Sequence, residues 1–143
     1  MSGAGRDAGF TLVELLLVII IIGVLAAMVV PSLVGRSEQA RVTAAKADIR
    51  ASIGTALDSF EMDTGAYPTT AQGLEALIRE PDDVTGWRGP YLKEVQVPRD
   101  PWGREYVYKC PGDHEPLPYD LVSYGRDGKE GGEDDIANYD TDE

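Results

Sequence analysis

Cysteine and histidine are nearly absent from this chain of 143 residues, where Cys110 and His114 are the sole examples. One cysteine closes no internal disulfide and builds neither a thiolate metal cluster nor a redox Cys-x-x-Cys pair. One histidine leaves little material for a catalytic triad or a zinc site. No phosphate loop, HExxH or GxSxG motif occurs. Basic side chains are scarce too, 13 against 25 acidic ones, for a net charge of −12. So acidic a chain repels phosphate backbones, which disfavours generic nucleic-acid binding. Together these shortages point away from an enzyme. The length suits one small globular domain rather than a multidomain machine, and 43% hydrophobic residues rule out a wholly disordered chain.

What the chain does have is one long apolar run. Residues 10–30 read FTLVELLLVIIIIGVLAAMVV, with Glu14 as the sole charge. As a helix, this run spans about 31 Å, one hydrocarbon core of a bilayer. Isoleucine, valine and leucine cover all its faces, which argues against a helix of a soluble core. A cleaved secretory signal would need a small-x-small site after a shorter apolar run, and Leu25-Ala26-Ala27-Met28 is a poor one. The run therefore reads as a membrane helix. Basic residues after Pro31 alternate with acidic ones, so the charge pattern does not orient it. Glu14 is costly in such a segment, by about 2.5–3.5 kcal/mol near the bilayer centre and less toward the interface. A carboxylate placed there calls for a partner, or lies at the interface near a helix start.

Beyond Pro31 the helical pattern continues. Val42, Ala45, Ile49, Ile53, Ala56 or Leu57, and Phe60 recur in steps of three and four, the stripe of an amphipathic helix. Residues 10–61 as one stem would reach about 78 Å, interrupted at Gly23 and Pro31. Turn chemistry follows at Thr64-Gly65 and Tyr67-Pro68. Thr69 and Gln72 fit a capping box for a short helix over about 70–79, with Leu74, Leu77 and Ile78 inward and Pro81 as its stop. Asp100-Pro101-Trp102-Gly103 suits a type I turn. Glu105–Tyr108 and Tyr119–Tyr124 are strand-like. The fold expected is α+β: a long N-terminal helical stem, then a small C-terminal globular domain of short helix and antiparallel strands. Trp87, Trp102 and the tyrosines are expected in the core, Cys110 as a small packed residue, and His114 in a solvated loop.

The C-terminal segment carries most of the charge. Residues 113–143 hold 11 acidic and 2 basic side chains, a local net charge of −9. Such a stretch is ordinarily a solvated tail. Two features set this one apart: the glycines of Tyr124-Gly125-Arg126-Asp127-Gly128, and the return of apolar residues at Ile136 and Tyr139. Asp127, Asp134 and Asp135 group hard oxygen donors within nine residues, the donor type calcium prefers, although the spacing is not that of an EF-hand.

Residues 9–14, Gly-Phe-Thr-Leu-Val-Glu, followed by the apolar run, resemble the processing motif of type IV pilins and type II secretion pseudopilins. The passages at 63–81, 89–92, 100–103, 105–108 and 119–124 resemble the major pseudopilins of type II secretion (the general secretion pathway protein G family) and extend the likeness to about residue 139. The resemblance implies a leader, residues 1–9, removed by a prepilin peptidase between Gly9 and Phe10, with methylation of the Phe10 amine. It implies an assembly role for Glu14, paired with a neighbour's N-terminal amine, and for Pro31, where the stem bends or melts in the fibre. It implies a transmembrane and assembly helix at 10–30, an amphipathic continuation at 31–61 and a periplasmic domain at 62–143. It also implies calcium as cofactor, held by Asp127, Asp134 and Asp135, with the carbonyls of Tyr124 and Glu130 as weaker ligands. The implied setting is the Gram-negative inner membrane, single-pass, and then a homopolymeric periplasmic pseudopilus. Its implied partners are minor pseudopilins and the inner-membrane platform with its ATPase. A type IV pilus subunit is the nearest alternative, disfavoured by the lack of a C-terminal cysteine pair. A non-polymerising, single-pass calcium-binding periplasmic protein is the other.

Overall fold

The computed structural model describes residues 9–140, and the side chains of these except 29–34. The chain divides into two compact units, Met1–Glu38 and Gln39–Glu143, and the first helix, α1 (Leu12–Ala47), contributes to both. The expected leader lies outside the described residues except for Gly9. The helix is unbroken at Gly23 and at Pro31, where interruptions were expected.

In the first unit the described large apolar side chains from Phe10 to Met28 are all exposed, from 49% at Val18 and Ile21 to 87% at Phe10. They find no cover among the described residues. Among the described residues no helix is long and apolar enough to cross a membrane. The described side chains of the apolar run stop at Met28, and Leu12–Met28 alone covers about 26 Å against a hydrocarbon core of roughly 30 Å.

In the second unit the helical stripe forms as expected. Ala45, Ile49, Ile53, Ala56, Leu57 and Phe60 are buried, and Val42 is packed at the margin. The helix carrying them is not uniform. After α1 comes a π-helical turn, Asp48–Ile53, and then α2, Gly54–Thr64. The reason is in the spacing. Ala45, Ile49, Ile53 and Leu57 are each four residues apart, and in an α-helix every such step drifts about 40° around the axis. The wider π turn takes up that drift and keeps the side chains on one face. Its closing bond runs from the Gly54 amide to the Ile49 carbonyl. A left-handed Gly65 ends α2 (φ 86°), its amide on the Glu61 carbonyl at 2.7 Å.

The expected helix at 70–79 is shorter and of another kind. Its capping box forms: the Gln72 side chain accepts the Thr69 amide at 2.8 Å, and the Thr69 hydroxyl accepts the Gln72 amide at 3.3 Å. Gly73 then departs from helical geometry (φ 61°, ψ −167°), so only a 3-10 turn, Leu74–Leu77, follows. Leu74 and Leu77 still point inward. The Asp100–Gly103 turn closes with a 2.8 Å bond from the Gly103 amide to the Asp100 carbonyl.

Among the described residues three antiparallel strands follow in the order β1-β2-β3: β1 Val107–Lys109, β2 Asp120–Ser123 and β3 Ile136–Ala137. Val107 faces Val122, and Ser123 faces Ile136. Tyrosine hydroxyls at and beside β1 tie it to the π turn and to the loop after α2. The Tyr106 hydroxyl donates to Asp48 at 2.9 Å, and the Tyr108 hydroxyl to the Pro68 carbonyl at 2.7 Å. Trp87, Trp102 and Cys110 pack on the core margin.

The π turn makes a sharp test. Alanine in place of glycine ordinarily stabilises a helix by up to about 1 kcal/mol. A Cβ on Gly54 would lie 2.8 Å from the Ile49 carbonyl oxygen, so Gly54→Ala should instead destabilise, by about 1–3 kcal/mol. Urea unfolding of the two chains measures the sign.

Candidate functional site: the helix start and the acidic loop

The chain enters α1 through Gly9-Phe10-Thr11. Thr11 and Glu14 form a reciprocal cap. The Glu14 carboxylate accepts the Thr11 amide at 3.1 Å and the Thr11 hydroxyl at 3.0 Å, while the Glu14 amide donates to the Thr11 hydroxyl oxygen at 3.2 Å. A carboxylate at this place also faces the positive end of the helix dipole. Glu14 thus has a partner within its own chain, and Thr11 is a participant that the sequence reading passed over, although Thr-x-x-Glu is a recognised signature. A Cβ added to Gly9 would meet nothing within 4 Å, so packing in this structure does not demand glycine there. Pro31 lies inside α1.

The acidic loop joins β2 to β3. Its two limbs meet backbone to backbone: Gly125 sits at φ 56°, and a side chain there would overlap the Asp134 carbonyl. The Asp134 carboxylate accepts the Asp127 amide at 2.8 Å, and the Tyr124 carbonyl accepts the Gly128 amide at 3.0 Å. Asp127 accepts the Lys129 amide at 2.8 Å. A Cβ on Gly132 would lie 2.7 Å from one Asp134 oxygen and 3.5 Å from both Asp127 oxygens. Asp127 and Asp134 therefore share one small space over Gly132. Asp135 is turned elsewhere: one oxygen accepts the Gly131 amide at 2.7 Å, and the other is buried without a partner among the described residues. Glu130 and Glu133 are exposed. Burial first, then the nearby Glu130 and Asp135 charges, push the Tyr124 hydroxyl up. The Asp127 amide foremost holds the Asp134 carboxyl below the ordinary range against the opposing effect of burial, with help from the amides of Asp134 and Arg126 and the Arg104 charge.

Among the described residues no three Asp, Glu, His or Cys side chains already converge as a metal cluster. The structure brings Asp127 and Asp134 together, and leaves Asp135 beside them. The donor chemistry still fits a hard cation. All three are carboxylates, the space over Gly132 is one that a Cβ would fill, and the buried Asp135 oxygen lacks a donor.

Three further residues that the sequence reading did not single out hold this end of the domain. Asp100 is only 3% exposed. It accepts the Trp102 and Arg104 amides at 3.0 and 2.8 Å and the Ser123 hydroxyl at 2.7 Å, which ties the turn to the strand before the loop. Asn138 spans the sheet edge, accepting the Leu121 amide at 2.9 Å and donating to the Tyr119 carbonyl at 2.8 Å. Asp120 is buried and bonded to the Asp113 amide and the His114 ring, at 2.8 and 2.9 Å. His114 is exposed, as expected of a loop, but its ring stacks on Tyr139 with centroids 3.6 Å apart.

Burial alone would raise the Asp120 carboxyl, but the Asp113 amide and the His114 ring outweigh it and hold the group below its ordinary value. A carboxyl depressed in the fold stabilises the fold above its unfolded pKa, about 3.9, and loses that contribution as pH falls through the lower native value. Asp120→Asn should therefore be less stable at neutral pH and lose less stability on acidification below about pH 4. Thermal melts across that range measure both effects.

Comparison with known proteins agrees with this geometry. Residues 32–139 match the family model described as Type II secretion system (T2SS), protein G, and residues 5–30 match the Prokaryotic N-terminal methylation motif. The chain is 49% identical to the type II secretion system core protein G of Pseudomonas aeruginosa, over 94% of this chain and 96% of that one. It is 46% identical to the protein of the same name from Escherichia coli K12, over 97% and 95%. The crystal structure of the major pseudopilin from the type 2 secretion system of enterohaemorrhagic Escherichia coli superposes with a TM-score of 0.64 at 34% identity, covering 74% of this chain and 88% of that one. The α+β architecture and both motif regions thus converge, and the chain belongs to the type II secretion system protein G family, the major pseudopilins.

Proposed function

We propose that this pseudopilus subunit is cut after Gly9 by a prepilin peptidase, methylated on the Phe10 amine and held in a Gram-negative inner membrane as a single-pass protein. Residues 39–140 would then lie in the periplasm. Its role is structural rather than catalytic. The observation that carries this reading is the apolar surface of the first unit, which is exposed from Phe10 to Met28 and finds no cover among the described residues. A bilayer covers such a surface first, and the equivalent segments of neighbouring copies cover it in a fibre. The open surroundings of Gly9 suit close approach of a protease to the backbone. Glu14 then pairs with the amine that cleavage creates on a neighbour. Extraction and growth of the fibre imply the assembly platform, its ATPase and minor pseudopilins as partners.

Calcium is the ion we assign to the acidic loop. Asp127 and Asp134 would supply the first oxygens, and Asp135 a further one after turning from the Gly131 amide. The Tyr124 carbonyl, and more weakly that of Glu130, would complete the shell. When bound, the ion neutralises clustered carboxylates and ties the two limbs of the loop.

Glu14→Leu should insert and be processed, with an intact mass that starts at methylated Phe10, because the change removes a costly group from lipid. It should form few oligomers. Cross-linking in membranes measures this, and a normal ladder from Glu14→Leu would refute the pairing.

For the loop, calcium should raise the melting temperature of the full chain in detergent. Binding to the native state contributes about 2.7 kcal/mol at a hundredfold excess over Kd, and for a domain of this size about 1 kcal/mol moves the midpoint by 4–8 °C. Magnesium should substitute poorly, and Asp134→Ala should abolish the response. Equal shifts with both ions, lost in moderate salt, would mark a merely solvated acidic segment.

A further inference from the structure

The acidic loop is braced from outside by a cation of the chain itself. Arg104 follows the Asp100–Gly103 turn, and both of its backbone groups are held: its amide by the Asp100 carboxylate at 2.8 Å and its carbonyl by the Asp100 amide at 2.8 Å. From this fixed base the half-buried guanidinium reaches two consecutive carbonyls of the loop, Gly125 at 2.6 Å and Arg126 at 3.2 Å. The contact is close enough that a Cβ on Gly128 (φ 70°) would run into the guanidinium. The brace has a second foot. The Ser123 hydroxyl donates to Asp100 at 2.7 Å and accepts the Gly125 amide at 3.3 Å. The turn therefore grips residues 123–126 at the Ser123 hydroxyl and at the Gly125 and Arg126 carbonyls, and Ser123 in turn holds the Gly125 amide.

We propose that Arg104 is a positioning residue for the calcium site: its guanidinium splints the Gly125 and Arg126 carbonyls, so the limb bearing Asp127 is set against the limb bearing Asp134 before the ion arrives. This inference rests on the calcium assignment above. It follows from what two parallel N–H donors in one rigid plane can do. A guanidinium fixes the relative orientation of two adjacent peptide groups, whereas an ammonium on a flexible stem satisfies one carbonyl at a time. The two carbonyls so engaged are directed to Arg104, which leaves the ion to the carboxylates and the Tyr124 carbonyl. A site populated in only a fraction of molecules binds with an affinity reduced by that fraction. Removal of the splint therefore weakens binding without removal of any ligand.

The test compares the full chain in detergent with Arg104→Lys and Arg104→Gln. Calcium titration by calorimetry measures Kd, and hydrogen exchange in a chelator measures protection of residues 125–132. The expected result is a Kd about tenfold higher in both variants, the closed fraction falling by that factor, with faster exchange in the loop while β1 and α2 stay protected. Failure of Arg104→Lys to rescue binding supports the splint, because lysine keeps the charge. A Kd unchanged or tighter in both variants, with normal calcium binding by the unaltered chain, would overturn the role of Arg104 and leave the calcium assignment standing. A melting temperature lowered without any change in Kd would also overturn it, since that is the mark of a merely structural residue. No calcium heat from the unaltered chain would overturn the calcium assignment itself, and this role with it.

Discussion

Burial of one face of the helix between Ala45 and Phe60 organises the second unit. Ile49, Ile53, Leu57 and Phe60 are all within 1% of complete burial, and the sheet, the 3-10 turn and the aromatic ring pairs are arranged around them. A face built from residues four apart cannot stay straight on an ordinary α-helix. The π turn at Asp48–Ile53 reconciles sequence spacing with a single buried face, and Gly54 gives the room that the turn needs. Tyr106 then fastens β1's approach to Asp48 within that same turn. The irregularity in the helix is thus the place where helix and sheet are joined.

The loop obeys a different constraint. Its limbs touch through backbone at Gly125 and Asp134, so a side chain at 125 is excluded, while the Asp134 carboxylate stays at the crossing and takes the Asp127 amide. Hydrogen bonds from backbone amides to Asp127, Asp134 and Asp135 already partly offset their mutual repulsion. This is why a segment with so much negative charge is ordered enough to return the chain to β3, where Ile136 and Ala137 are buried.

Much of this was legible in the sequence, and what was not has physical reasons. The stripe from Val42 to Phe60 reads directly from spacing, because burial selects apolar residues at helical intervals. The π turn does not, since steps of four are compatible with either kind of turn. The Thr69–Gln72 cap is a local device and was readable, but the helix expected after it was cut short by the backbone of Gly73, whose glycine could as well have stayed helical. β3 is only two residues long and is defined by its partner rather than by its own composition. Asp127 and Asp134 were recognisable as oxygen donors, while the orientation of Asp135 depends on which amide lies nearest. Thr11 is masked by the apolar run around it, although Thr-x-x-Glu is a capping pattern. Asp100 and Arg104 belong to the loop only through distant pairing, with Gly125 separated from Arg104 by 21 residues.

The reciprocal cap at Thr11 and Glu14 has a consequence for the energetics of a fibre. On the pairing proposed above, a neighbour's amine would take the Glu14 carboxylate from hydrogen bonds it already has. The transaction is an exchange, and its net gain is much smaller than the strength of an ion pair in lipid would imply. The proposed pairing would therefore select which neighbour is joined more than it would strengthen the joint, a task left to the apolar surface between Phe10 and Met28.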